Sequence, residues 1–247
     1  MIISHKHKFI FIKTRKTAGT SIEKALLSIC GDEDVITLDH LHSGEQDVFM
    51  DDARNYQGSW VPVKELIASQ TLLDTLRVGR DWLQRPKFYN HMSACSVKCR
   101  VDPNIWNSYY KFCFERNPWD KCISFYYWQG RGGRGLGTFR DYLLQSHKRG
   151  TLDQSLPKDW RRYTFKNQLI VDDVYDFNDL SGNLLRALKN TRYIGDGSEV
   201  KLPKLKGDLR KSDFKYDNEM DEFIRDIFSN EIQLLSYECP EHLINKY

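Results

Sequence analysis

The stretch Lys8 to Gly31, KFIFIKTRKTAGTSIEKALLSICG, decides the fold class. Phe9 to Ile12 is a short apolar run with the length and composition of a buried strand, and Ile22, Ala25, Leu26 and Ile29 recur at helical spacing. Lys13 to Ser21 (KTRKTAGTS) lies between them, so the segment reads as strand, polar turn, helix. Thr20 and Glu23 have the spacing of a capping box, and Gly31 stands where a helix stop is expected. Such a turn gathers backbone amides, hydroxyls and the cations Lys13, Arg15 and Lys16 at the positive end of a helix, where an anion such as phosphate binds. The spacing of the nucleoside triphosphatases, G-x-x-x-x-G-K-[ST], is absent, because here the lysine precedes the glycine.

A second junction of the same kind lies further along. Tyr109 to Glu115 is rich in aromatic and apolar residues and reads as a central strand running into Arg116-Asn117-Pro118-Trp119. Proline suits the first turn of a helix, and Trp119 to Trp128 continues as one. An arginine leaving a strand and a hydroxyl two turns into the next helix, Arg116 and Ser124, can converge on one phosphate, the arginine through charge-assisted bonds. Before this junction, Lys87 to Asn90 is a brief extended stretch that delivers His91 at its end, and Ser93 begins a helix.

Lys16-Thr17-Ala18-Gly19-Thr20-Ser21 resembles the 5'-phosphosulfate loop of the carbohydrate branch of the sulfotransferases, with Arg15 where that family usually has proline. Arg116-Asn117-Pro118 followed by Ser124 resembles the family's 3'-phosphate motif. His91 resembles the catalytic base of the uronosyl 2-O-sulfotransferases, and Glu115 or a pocket carboxylate is next in line for that role. The two motifs occur in the family's order, each on a strand-to-helix junction. The resemblance covers the N-terminal half well and the remainder loosely.

This resemblance implies an α/β fold, with a P-loop-like, mostly parallel central sheet carrying helices on both faces, and one sulfotransferase domain over residues 1–247. It implies a donor, 3'-phosphoadenosine 5'-phosphosulfate (PAPS), leaving as 3'-phosphoadenosine 5'-phosphate (PAP), with no metal required. Arg15, Lys16, Thr17, Ala18, Gly19, Thr20 and Ser21 are then expected at the 5'-phosphate, and Arg116 and Ser124 at the 3'-phosphate. Lys206, Gly207 and Arg210 are expected in a late basic loop over the nucleotide. Lys16 and His91 are the expected catalytic pair, and the partner is a hydroxyl-bearing acceptor on a glycan or glycolipid. The competing readings are a nucleotide kinase or P-loop triphosphatase, against which stands the missing Gly-Lys-[Ser/Thr], and a non-catalytic nucleotide- or nucleic-acid-binding module, for which only the basic patches speak.

The remaining features set bounds. At 247 residues, 40% hydrophobic and 29% charged, the chain is long enough for one substantial α/β core. A net charge of +3 is too small to imply polyanion binding, and no aromatic-basic RNA-binding motif is present, so no nucleic acid is expected as partner. No leader-like segment opens the chain and its apolar runs are too short to cross a bilayer, so a cytoplasmic location is expected; Golgi members carry an anchor, and its absence here suggests a bacterial or viral member. The six cysteines form no CxxC pair and read mostly as reduced core or near-core residues, and His40, His42 and Asp47 fit no common metal site and read as a polar loop. Pro62 to Leu83 carries a helical pattern expected to cover the sheet. Gln129 to Gly137 is a glycine-rich cationic loop, Asp173 to Phe177 a further strand, and Met220 to Ile232 an amphipathic core helix.

Overall fold

Alternation along one strand sets the layers. In the computed structural model, which describes residues 1–38, 52–130, 135–146, 156–203 and 214–244, Phe9–Ile12 forms β2. Its Phe9 and Phe11 face α1 (Gly19–Leu27), while Ile10 and Ile12 face the opposite side. Successive strand residues point to opposite faces of a sheet, so a continuous apolar run such as Phe9–Ile12 must be covered on both. The neighbouring strand β4 (Tyr110–Glu115) repeats the pattern, Phe112 and Phe114 lying with Phe9 and Phe11, and Cys113 with Ile10 and Ile12.

The sheet is completed by β1 (Ile2–Ser4), β3 (Val35–Ile36) and β7 (Asp173–Asp176) in the order β3-β1-β2-β4-β7. β2 and β4 are parallel, as are β4 and β7, and β1 runs antiparallel to both of its neighbours. Among the described residues, β1 is therefore the one reversed strand of a mostly parallel sheet. The sequence reading missed it: three residues are too few to show a period, and its hairpin to β2 turns through Lys8 at φ 57 rather than through glycine.

Between β3 and β4 come α2 (Val63–Ala68), α3 (Leu72–Gln84), α4 (Ala94–Arg100) and α5 (Pro103–Ser108). Between β4 and β7 come α6 (Pro118–Gln129), α7 (Phe139–Leu144), α8 (Trp160–Tyr163) and the hairpin β5 (Thr164–Phe165) to β6 (Gln168–Leu169). α9 (Leu180–Lys189), α10 (Asn218–Ile227) and α11 (Ser229–Leu235) follow. α1 and α9 cover one face of the sheet through Ile22, Leu26, Leu184 and Leu188. Val97, Trp106 and Tyr163 of α4, α5 and α8 cover the other. A third cluster joins α6, α7 and α10 through Trp119, Tyr142 and Ile224. Met220, Ile224 and Phe228 are core residues, as their spacing predicts, but the helix is divided in two at Phe228.

Three local expectations are corrected. Thr20 and Glu23 form no capping box: α1 begins at Gly19 with Ala18 as N-cap, and Glu23 is buried, taken up by Lys13 and the Met1 ammonium. α1 ends at Leu27, ahead of Gly31, whose amide instead donates to Asp34. Pro62 to Leu83 is helical but does not cover the sheet with its apolar side; Ile67, Leu72, Leu76 and Leu83 are exposed, and Glu65 and Asp81 are buried. A periodic stripe reports that a helix has two sides, not which of them is paired internally.

Candidate functional site

The connections leave β2 and β4 in opposite directions. From β2 the chain passes through α1 to β3, beyond β1, whereas from β4 it passes through α6 towards β7 on the other side. The carboxyl ends of two adjacent parallel strands whose connections diverge form a crevice where ligands of open α/β sheets bind. Both sequence motifs stand there, because Ile12 and Cys113 are in register and Thr14 donates to the Phe114 carbonyl.

The turn after β2 has an unusual backbone. Lys16 and Ala18 have φ of 61° and 55°, positions disfavoured for residues with a Cβ, so tertiary contacts hold them. Ala18 in the left-handed region followed by helical Gly19 makes a concave run of amides suited to an anion. The first intrahelical bond of α1 is from the Ile22 amide to the Ala18 carbonyl at 3.0 Å, which places the Gly19, Thr20 and Ser21 amides ahead of the helical ladder. The N-cap residue Ala18 has no side-chain oxygen with which to cap this terminus. Gly19 is required by packing: a Cβ there would lie 2.7 Å from Lys13 Cγ.

The three cations of the turn separate. Lys13 is buried and donates to Glu23 at 2.6 Å. Arg15, expected at the anion, turns away to Asp159, donating from its amide at 2.7 Å and from Nε at 2.8 Å. Lys16 extends towards α6, its Nζ 5.6 Å from the centre of the Trp128 ring.

His91 joins this turn from the other face. Its Nδ1 lies 3.1 Å from the Lys13 carbonyl, which can only accept, so Nδ1 carries the proton and Nε2 the lone pair. Burial, then the charges of Lys13 and Arg162, hold the imidazole well below its usual range, against the opposing pull of Asp159. The ring is therefore neutral at neutral pH. Arg162 donates to the His91 carbonyl and, through Nε, to Asp159 at 2.7 Å.

Beneath the crevice lies a buried charge cluster. Asp159 accepts from Arg15, Arg162 and Lys121, whose Nζ is 2.9 Å away, and Lys121 also donates to Glu115 at 2.5 Å. Burial alone would raise the Asp159 carboxyl, but Lys121, Arg15 and Arg162 overcome it and hold the group well below the carboxylate range. Glu115 also accepts from the Arg116 amide at 2.8 Å and from the Tyr163 hydroxyl at 3.1 Å. These bonds use both its oxygens, so it is not placed as a substitute for His91.

Arg116 ties the two junctions together. Its Nη1 donates to the Lys16 carbonyl at 3.1 Å across a separation of 100 residues, its Nε donates to Asp120 at 2.7 Å, and its guanidinium stacks 4.4 Å from the centre of the Phe177 ring. Asp120, Ser124 and Trp128 follow one another at i, i+4 and i+8, so they form one stripe of α6. Asp120 meets Arg116 and Trp128 meets Lys16, which places Ser124 on the stripe bordering the turn.

Comparison with known proteins adds little to this geometry. No protein-family model matches the chain. An uncharacterized protein of Archaeoglobus fulgidus is 28% identical over 100 residues, 40% of this chain and 80% of that protein. Among solved structures, a sulfotransferase from Alicyclobacillus acidocaldarius aligns over 93% of this chain and 96% of its own at 15% identity, with a TM-score of 0.38.

The structure thus brings Lys16, Gly19, Thr20, Ser21, His91, Arg116 and Ser124 to one end of the sheet, and turns Arg15 inward. Lys206, Gly207 and Arg210, the His40 to Asp47 region and part of the Gln129 to Gly137 loop lie outside the described residues. Asp159, Arg162, Lys121 and Trp128 escaped the sequence reading. Trp128 could have been found, since it continues the i, i+4 series from Asp120 and Ser124; Asp159, 144 residues from Arg15, leaves no local signal.

Proposed function

We propose that this chain is a PAPS-dependent sulfotransferase, folded as one domain over residues 1–247, that sulfates an acceptor hydroxyl on a carbohydrate. The observation that carries this reading is the 3.1 Å bond from Arg116 to the Lys16 carbonyl, which puts the two phosphate-type motifs side by side. The α1 terminus, the left-handed Ala18 and the Lys16 ammonium offer what a phosphosulfate needs: amides in a concave run and a cation beside them.

PAPS supplies an activated sulfuryl group and leaves as PAP. Lys16 neutralises the charge that gathers on the leaving phosphate, and the Gly19, Thr20 and Ser21 donors hold that phosphate. His91 accepts the acceptor's proton at Nε2, the nitrogen left with a lone pair by the bond to Lys13. Arg116 and Ser124 read the 3'-phosphate, Arg116 exchanging its Asp120 partner for the ligand. Positioning and charge stabilisation, rather than covalent work, supply the rate, as in phosphoryl transfer.

Calorimetric titration with PAP, and with ADP as the control lacking the 3'-phosphate, tests the donor class. PAP is expected to bind at least tenfold more tightly, about 1.4 kcal/mol. Lys16→Ala should keep most of the PAP affinity and lose transfer from PAPS by roughly a hundredfold or more. Equal binding of both nucleotides, or of neither, removes the role given to Arg116 and Ser124.

A further inference from the structure

Residues 61–85 carry an amphipathic surface turned inside out. Ile67, Leu72, Leu73, Leu76, Trp82 and Leu83 are between 53% and 79% exposed. Leu72, Leu76 and Leu83 stand at i, i+4 and i+11 of α3 with Gly79 between them, so they form one outward stripe, flanked by Leu73 and Trp82. The inward side is polar. Glu65 is held by Arg100 at 2.8 Å and 3.2 Å, Asp81 accepts from the Tyr89 hydroxyl at 2.6 Å, and Asp74 is paired with Arg161 at 2.8 Å. A helix on the surface of a water-soluble core ordinarily buries its leucines and hydrates its carboxylates, and contiguous exposed apolar surface marks a binding face.

Charge decides what that face meets. Glu65 is paired with Arg100, Asp74 faces Arg161 and Arg77, and Asp81 faces Arg80 and Arg85, so cations outnumber carboxylates, with Lys64, Arg77, Arg80 and Arg85 exposed on the segment. Arg80 and Arg85 share the single Asp81 carboxylate, at 3.0 Å and 3.3 Å, so the rim keeps a positive excess. A second copy docking through the same face about a two-fold axis would set these cations against themselves. An anionic lipid surface accepts both halves of the pattern, the leucines and Trp82 at the acyl boundary and the cations among the headgroups. The 13 residues of α3 extend about 20 Å, less than the ~30 Å hydrocarbon core, so the helix lies in the interface plane.

We propose that α2 and α3 are an interfacial docking surface that binds the protein to membranes rich in anionic lipid. This inference is independent of the sulfotransferase reading. It is tested by floating the full chain with vesicles of phosphatidylcholine alone and of an equimolar mixture of phosphatidylcholine and phosphatidylglycerol. The chain should rise with the mixed vesicles, stay behind with the neutral ones, and be released by high salt. Leu72→Asp/Leu76→Asp and Lys64→Glu/Arg77→Glu should each weaken binding roughly tenfold or more while leaving the circular dichroism spectrum and melting temperature unchanged. Failure of the wild-type chain to bind the mixed vesicles overturns the proposal, as does unchanged binding by both double variants. A dimer in sedimentation equilibrium that the leucine variant dissolves also overturns it, by assigning the face to a second copy.

Discussion

At the scale of single residues, the site depends on two backbone positions and one proton. Lys16 and Ala18 are left-handed without being glycine, which keeps the lysine side chain at the point where the turn bends towards α6. His91 is fixed by the Lys13 carbonyl, so one hydrogen bond selects the tautomer and ties it to the turn it would serve. Its imidazole is held below the ordinary value of about 6.5 by burial and by Lys13 and Arg162. The base form is therefore present at neutral pH and persists as the pH falls. With PAPS as donor, the acid limb of the kcat/KM profile should lie below pH 6.5, and His91→Ala should lower transfer by about a hundredfold or more while sparing PAP affinity. A limb at or above pH 6.5 would show that the ring titrates as an exposed histidine does, and full activity in the alanine variant would move the base elsewhere.

At the scale of elements, Asp159 joins pieces that the sheet alone does not. It stands at the start of α8 and binds the turn after β2 through Arg15, α6 through Lys121, and the His91 segment through Arg162. Removing it would leave Lys121 with Glu115 alone and Arg15 without its carboxylate in a buried setting. Asp159→Ala should cost about 3–5 kcal/mol, read from the urea midpoint at constant m-value, because buried cations would lose their counter-charge. A loss below ~1 kcal/mol would mean that water takes over the pairing. This element-level wiring marks the boundary of what the sequence discloses. The strand, turn and helix around Phe9 to Leu27 and around Tyr110 to Gln129 are local patterns, whereas Lys87 to Asn90, expected to be extended, forms bends and a turn that deliver His91 at φ 56. The Asp159 cluster depends on contacts between residues far apart in the chain, and β1 is too short to have a pattern. The outward turn of the apolar residues in α2 and α3 is decided by Arg100 on Glu65 of α2 and by Arg161 and Tyr89 on Asp74 and Asp81 of α3, none of which lies in either helix.

At the scale of the whole molecule, the buried charges reach from the crevice through the sheet to the C-terminal helices. Glu231 of α11 is almost fully buried, and burial followed by the Glu115 charge, against the opposing pull of Lys121, pushes its carboxyl up from 4.5 to about 7. The direction of the linkage follows from proton counts. Below pH 4.5 the folded and unfolded chains both hold this proton and its full contribution to stability is present. As the pH rises towards 7 the unfolded chain releases the proton while the folded chain retains it, so stability is lost across that interval and the loss is complete above it. His91 acts in the opposite sense, its depressed value removing stability as the pH falls below 6.5. Glutamine reproduces the protonated acid in shape and hydrogen bonding but cannot ionise. Glu231→Gln should therefore melt at nearly the wild-type temperature at pH 5 and several degrees above it at pH 8, the gap opening between these values. A gap that stays constant with pH would mean that Glu231 ionises in the folded chain as readily as in the unfolded one, and that α11 is not coupled to the charges beneath the site.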